Sequence, residues 1–65
     1  MYHRYTCNQI LDILFKNGWI VKNQKGSHIQ LTHPTKKGKV TVPKHGNDVL
    51  APGTERAILK QAGLL

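Results

Sequence analysis

Carboxylates are scarce in this chain. Asp12, Asp48 and Glu55 stand against ten Lys and Arg residues, giving a formal net charge of +7 with the histidines neutral. A small domain this basic points to a polyanionic partner: nucleic acid first, an acidic protein second, an anionic membrane surface third. Cysteine is nearly missing as well. Cys7 is the single one, so no internal disulfide can form. A secreted domain of this size would carry several, and Cys7 is expected to pack as a small apolar residue. Long apolar runs are absent: no stretch approaches the roughly 18 residues of a membrane span. Behind Met1-Tyr2-His3-Arg4-Tyr5 there is no apolar segment of the signal-peptide kind. The expectation is a cytoplasmic protein with no membrane partner. Ligand clusters are also wanting. His3 and Cys7 are four apart, but His3 precedes the predicted first helix and no second pair completes a tetrahedral set. No metal and no other cofactor is expected.

Length sets a further bound. Residues 1–65 make one domain, and a chain this short buries only about 60% of the surface it exposes when unfolded. Its core is small, and a shallow surface site is expected rather than a deep cavity.

What is present is ordered along the chain. Thr6 reads as a helix N-cap, with Gln9 at the spacing of a capping box. Cys7, Ile10, Leu11 and Leu14 recur at helical spacing, and Gly18 suits the position just past a helix end, which predicts a first helix over 7–17. Trp19-Ile20-Val21, followed by Lys22-Asn23-Gln24, reads as a strand, and Lys25-Gly26 as a hairpin turn. Across 27–33, Ile29 and Leu31 fall on one face while His28, Gln30 and Thr32 fall on the other. After the basic turn 34–38, Val40 and Val42 alternate with Lys39 and Thr41, and Pro43 ends the strand. Residues 44–51 read as a loop. Pro52 suits the first turn of a second helix over 53–62, with Ala57, Ile58 and Ala62 on its apolar side and Gly63 closing it.

The order is α-β-β-β-α, an α+β fold. A three-stranded antiparallel sheet with one apolar face, and two amphipathic helices, bury their apolar sides most simply with both helices on the same face. The other face stays wet. His28, Gln30, Thr32, Lys39 and Thr41 then share an open cationic surface, with Lys22 a candidate to join them. Trp19 is read as core rather than as a base-stacking platform.

Four motifs stand in order: Asn17-Gly18-Trp19 after the helix; Lys25-Gly26-Ser27-His28; Val42-Pro43-Lys44-His45; and Pro52-Gly53-Thr54 leading into Ala57-Ile58-Leu59-Lys60-Gln61-Ala62-Gly63-Leu64. Together they resemble the HicA toxin family over nearly the whole chain. The resemblance implies a fold similar to the double-stranded-RNA-binding domain. It also implies an mRNA-cleaving toxin, an mRNA interferase of a toxin–antitoxin pair, and a HicB-like antitoxin that masks the His28 face. The family's catalytic histidine lies in the Gly-Ser-His motif, which maps onto His28, with Gly26 and Ser27 as motif support. Members often carry an aromatic shortly after that histidine, whereas here Ile29-Gln30-Leu31 follow.

RNA brings its own nucleophile, the 2′-hydroxyl, so cleavage requires proton transfer and stabilisation of charge on phosphate. Histidine suits the proton transfer as general base or general acid. His45 is a second candidate, for acid/base work or for a structural bond at a strand end. Lys22, Lys25, Lys36, Lys37, Lys39 and Lys44 are the candidate phosphate contacts, the alternative being a solvated turn. Two rival readings remain: a non-catalytic small basic RNA-binding domain, and a structural subunit for an acidic protein.

Overall fold

The computed structural model describes residues 5–44 and 49–65. The expectation at His45, and that at His3, fall outside these residues. The element order is α1 (Cys7–Lys16), β1 (Ile20–Lys25), β2 (His28–Thr32), β3 (Val40–Pro43) and α2 (Pro52–Gln61). The strands form an antiparallel sheet in the order β1-β2-β3, the α-β-β-β-α arrangement expected.

α1 starts where its polar residues satisfy the free backbone groups. The Thr6 hydroxyl accepts from Gln9 N–H at 3.2 Å, and Gln9 Oε1 accepts from Thr6 N–H at 2.9 Å. It ends in a Schellman motif: Trp19 N–H donates to the Leu14 carbonyl and Gly18 N–H to that of Phe15. Asn17 is the C-cap rather than the last helical residue, and Trp19 precedes the strand instead of opening it. α2 closes the same way, through Leu64 and Gly63 N–H onto the Leu59 and Lys60 carbonyls. Each motif pairs an apolar residue past the helix with one in its last turns, Trp19 with Leu14 and Leu64 with Leu59. All four belong to the core or pack against it.

The core lies between the helices and the inner face of β2 and β3. Leu31, Val40 and Val42 are fully buried, and Ile29 is nearly so. Each such aliphatic side chain stabilises the fold by about 1.5–3 kcal/mol. β1 differs, because all six of its residues are exposed. The helices do not cover it, and it is held by its ladder to β2.

Two expectations for the C-terminal third are corrected. Ala57 is exposed, and the buried line along α2 runs Glu55, Ile58, Ala62, the i, i+3, i+7 spacing of one helix face. Glu55 is tolerated there because its carboxylate accepts from Tyr5 N–H at 2.8 Å. The end of the presumed loop 44–51 is structured as well. Leu50 is core, its N–H donates to the Tyr5 carbonyl at 2.8 Å, and Val49 bridges Thr6.

Candidate functional site

Gly26 and Ser27 are the two central residues of the β1–β2 hairpin. Gly26 has φ +58°, and Ser27 has no positive φ. Positive φ at the first position alone is the pattern of a type II′ turn, whose twist matches that of antiparallel strands. A Cβ on Gly26 would meet open space, so the glycine is required for backbone angle and not for room. The turn is therefore Gly26-Ser27 and not Lys25-Gly26, and its two-residue length forces Lys25 directly opposite His28.

His28 opens β2, the central strand. Lys25 stands opposite it on one side and Pro43 on the other. Lys44 N–H donates to the Ser27 carbonyl at 2.6 Å, which holds the start of the next segment beside the turn. The His28 side chain is exposed, and no group among the described residues hydrogen-bonds its ring. Of the described carboxylates, Asp12 pairs with Lys16 at 3.0 Å and Glu55 holds Tyr5, both on the helical side. Among the described residues, the charged register partner of His28 is thus a cation, Lys25.

The rest of β1 accommodates that pairing through a β-bulge. Val21 faces Leu31, but Asn23, not Lys22, faces Gln30. Lys22 is the extra residue, and the insertion reverses the parity of the rest of β1. Strict alternation from Ile20 would set Gln24 opposite His28. The bulge admits Lys25 there and brings Asn23 onto the same face. Sequence reading missed this pairing, although a two-residue Gly-Ser turn is itself a hairpin signal that implies it.

The six lysines divide by position. Lys25 and Lys44 flank the His28 end of the sheet, and Lys22 projects from the bulge. Lys37 and Lys39 are exposed in the β2–β3 connection, at the far end of β2, about 13 Å away at the rise of a strand. Lys36 is set apart. Its ammonium donates to the carbonyl of Ala62, the C-cap of α2, at 3.0 Å.

His33 is engaged in the same manner. Its Nε2–H donates to the Asn17 carbonyl at 2.9 Å, and its Nδ1 accepts from the backbone N–H of Thr35 and Lys36 at 3.1 and 3.2 Å. Its ring packs edge-on against Trp19 with centroids 5.2 Å apart. Trp19 is 1% exposed and belongs to the core, as expected. A depression of about 350 Å³ lined by Pro52, Glu55, Arg56, Leu59 and Leu65 runs along α2, away from the His28 face. Around His28 the surface is an open sheet.

The family model for the HicA toxin of bacterial toxin–antitoxin systems matches residues 7–64. The chain belongs to the HicA toxin family. A solved structure titled as a toxin–antitoxin complex from Streptococcus pneumoniae contains a chain 35% identical to this HicA-family member. The two align with a TM-score of 0.75 over 91% of this chain and 97% of that one. No curated protein matches the sequence. Within this HicA-family fold, Gly26, Ser27 and His28 occupy the turn and the first residue of the central strand. No helix among the described residues is long and apolar enough to cross a membrane.

Proposed function

We propose that the chain is an endoribonuclease acting on mRNA, the toxin of a toxin–antitoxin pair, with His28 as its catalytic residue. The observation that carries this reading is the pairing of an exposed histidine with Lys25 across β1 and β2, at the one position where the Gly-Ser turn fixes both. The 2′-oxygen attacks the adjacent phosphorus. The O2′–P bond forms, the P–O5′ bond breaks, and a 2′,3′-cyclic phosphate and a 5′-hydroxyl result. His28 takes the proton from the 2′-hydroxyl or delivers one to the leaving 5′-oxygen, work for which imidazole is suited near neutral pH. Lys25 sits where it offsets the charge that builds on the phosphoryl oxygens. The chemistry assigns no step to a metal ion. Lys44 at the near end, with Lys37 and Lys39 at the far end, supplies neighbouring phosphates with counter-charges along β2. Lys22 adds a contact at the bulge. Lys36, bound to Ala62, contributes to this field only from a distance.

An acidic, HicB-like antitoxin fits the same exposed cationic face. Covering the row through Lys25 and His28 would block RNA, and a partner with carboxylates there would replace the phosphates it excludes. Supporting this, the related Streptococcus pneumoniae chain comes from a toxin–antitoxin complex.

The test is cleavage of a long RNA in EDTA by the parent chain and by His28→Ala, with circular dichroism on both. The parent is expected to leave cyclic-phosphate ends, and the folded variant to lose at least about a hundredfold in rate, the lower range for general acid–base catalysis. Undiminished cutting by the variant would remove His28 from the mechanism. Salt-sensitive binding without cutting by the parent would make the chain a small basic RNA-binding domain.

A further inference from the structure

One register step inward from His28, the wet face changes character. Asn23, Gln30 and Thr41 stand opposite one another across all three strands. Asn23 and Thr41 are exposed and Gln30 is half-buried. Their side chains have no hydrogen-bond partner among the described residues. Among the described residues, Thr6 and Gln9 cap α1, Asn17 bonds the Ile13 carbonyl and Thr35 meets His33, while Asn8, Gln24 and Gln61 are unpaired but isolated from one another along the chain. Asn23, Gln30 and Thr41 thus form an aligned row of unpaired polar side chains, and that row adjoins the candidate catalytic residue.

The described Trp, Phe and Tyr residues lie elsewhere. Trp19 is buried beneath the sheet, Phe15 lies on α1 and Tyr5 packs against the core. Among the described residues, the ring on this face is that of His28, and no Phe, Tyr or Trp stands on it. What the row itself offers a neighbouring base is hydrogen-bonding groups for its edge.

We propose that Asn23, Gln30 and Thr41 form a nucleobase subsite that reads the base adjoining the cleaved phosphate. The proposal rests on the reading of His28 as the catalyst of RNA cleavage. Residues two apart on β2 are separated by about 6.8 Å along the strand, so a phosphate at His28 leaves its neighbouring base over the Gln30 row. The three groups span about 10 Å across the sheet at ordinary strand spacing. A carboxamide offers a donor and an acceptor side by side. It complements a base edge that does the same, as adenine does through its N6 amino group and N7. The two adjacent acceptors of guanine, O6 and N7, call for Arg or Lys; the nearest cation in sequence, Lys22, is the unpaired bulge residue and not a register partner of Gln30. The subsite selects adenine over guanine at the position it reads, by an expected factor of about ten, within the range for one paired amide contact.

The experiment maps cut positions on a long RNA of mixed sequence for the parent, Gln30→Leu, Gln30→Glu, Thr41→Val and His28→Ala, each checked for folding. The parent is expected to favour adenine over guanine at one fixed position next to the cut. Gln30→Leu is expected to flatten that preference to within about twofold, and Gln30→Glu, which replaces the donor with an acceptor, to change which base is preferred. Should Gln30→Leu fail to fold, Gln30→Glu and Thr41→Val carry the same comparison. A parent that cuts with no base preference, or folded variants that keep the parental pattern, would overturn the subsite and leave the nuclease standing. A parent that does not cut would overturn both.

Discussion

His28 and His33 lie five residues apart in one hairpin and have opposite roles. The His28 ring is open and bonds to nothing among the described residues, whereas His33 uses both ring nitrogens on backbone groups. The difference extends to the glycines beside them. Gly18 has φ +92°, and a Cβ there would come within 2.7 Å of His33 Nε2. Gly18→Ala therefore meets backbone strain and displaces a ring bonded on two sides, at a cost of about 2–4 kcal/mol. Gly26→Ala meets the strain of the turn alone, about 1–3 kcal/mol. At about 4–8 °C per kcal/mol for a domain of this size, thermal melts are expected to place Gly18→Ala below Gly26→Ala by several degrees. Equal melting temperatures would show that the His33 ring yields freely.

At the scale of elements, the connection from β2 to β3 does more than turn the chain. From it, His33 reaches the Asn17 carbonyl at the end of α1 and Lys36 reaches the Ala62 carbonyl at the end of α2. One basic segment thus satisfies the C-caps of both helices, where cationic and donor groups are favoured. This separates Lys36 from the lysines proposed to meet phosphate. Lys36→Ala is expected to lower stability by about 0.5–1.5 kcal/mol while leaving the salt dependence of RNA binding as it was. Lys25→Ala is expected to do the reverse, weakening binding and flattening its salt dependence with little change in melting. Denaturation and filter binding on the two variants check the pair, and an unchanged stability for Lys36→Ala would dismiss the cap.

For the whole molecule, the governing quantity is charge on an open sheet. One face of β2 and β3 is buried under the helices, and the other presents lysines at both ends with an uncharged row between. A single strand of RNA laid along β2 with about four phosphates neutralised should bind with a log–log salt slope near −3. A slope near zero would exclude the phosphate track. The cap-like contacts and the core stand apart from this face, so salt should weaken binding well before it affects folding. β1 completes the face while burying none of its own side chains, and Ile20 and Val21 remain 57% and 49% exposed. Its register comes from the Gly-Ser turn and the bulge, so the position of Lys25 beside His28 is set from two directions.

The sequence by itself determined the order of elements, both helix ends, the core strands and the exposure of His28. These follow from local rules: a capping box, glycines at helix ends, and alternation along β2 and β3, each legible within a few residues. Gly26-Ser27-His28 was legible through its resemblance to a family. The bulge that carries this register along β1, and the distant partners of other residues, were decided only in three dimensions. The bulge at Lys22 brought Asn23 into line with Gln30. Lys36 turned away toward a carbonyl 26 residues distant, and Glu55 was buried against a backbone group 50 residues away. Such pairings arise because a buried donor or acceptor must find a partner wherever the fold brings one. No short window of sequence contains the partners of Lys36 and Glu55, whereas the Gly-Ser turn alone implies Lys25 opposite His28.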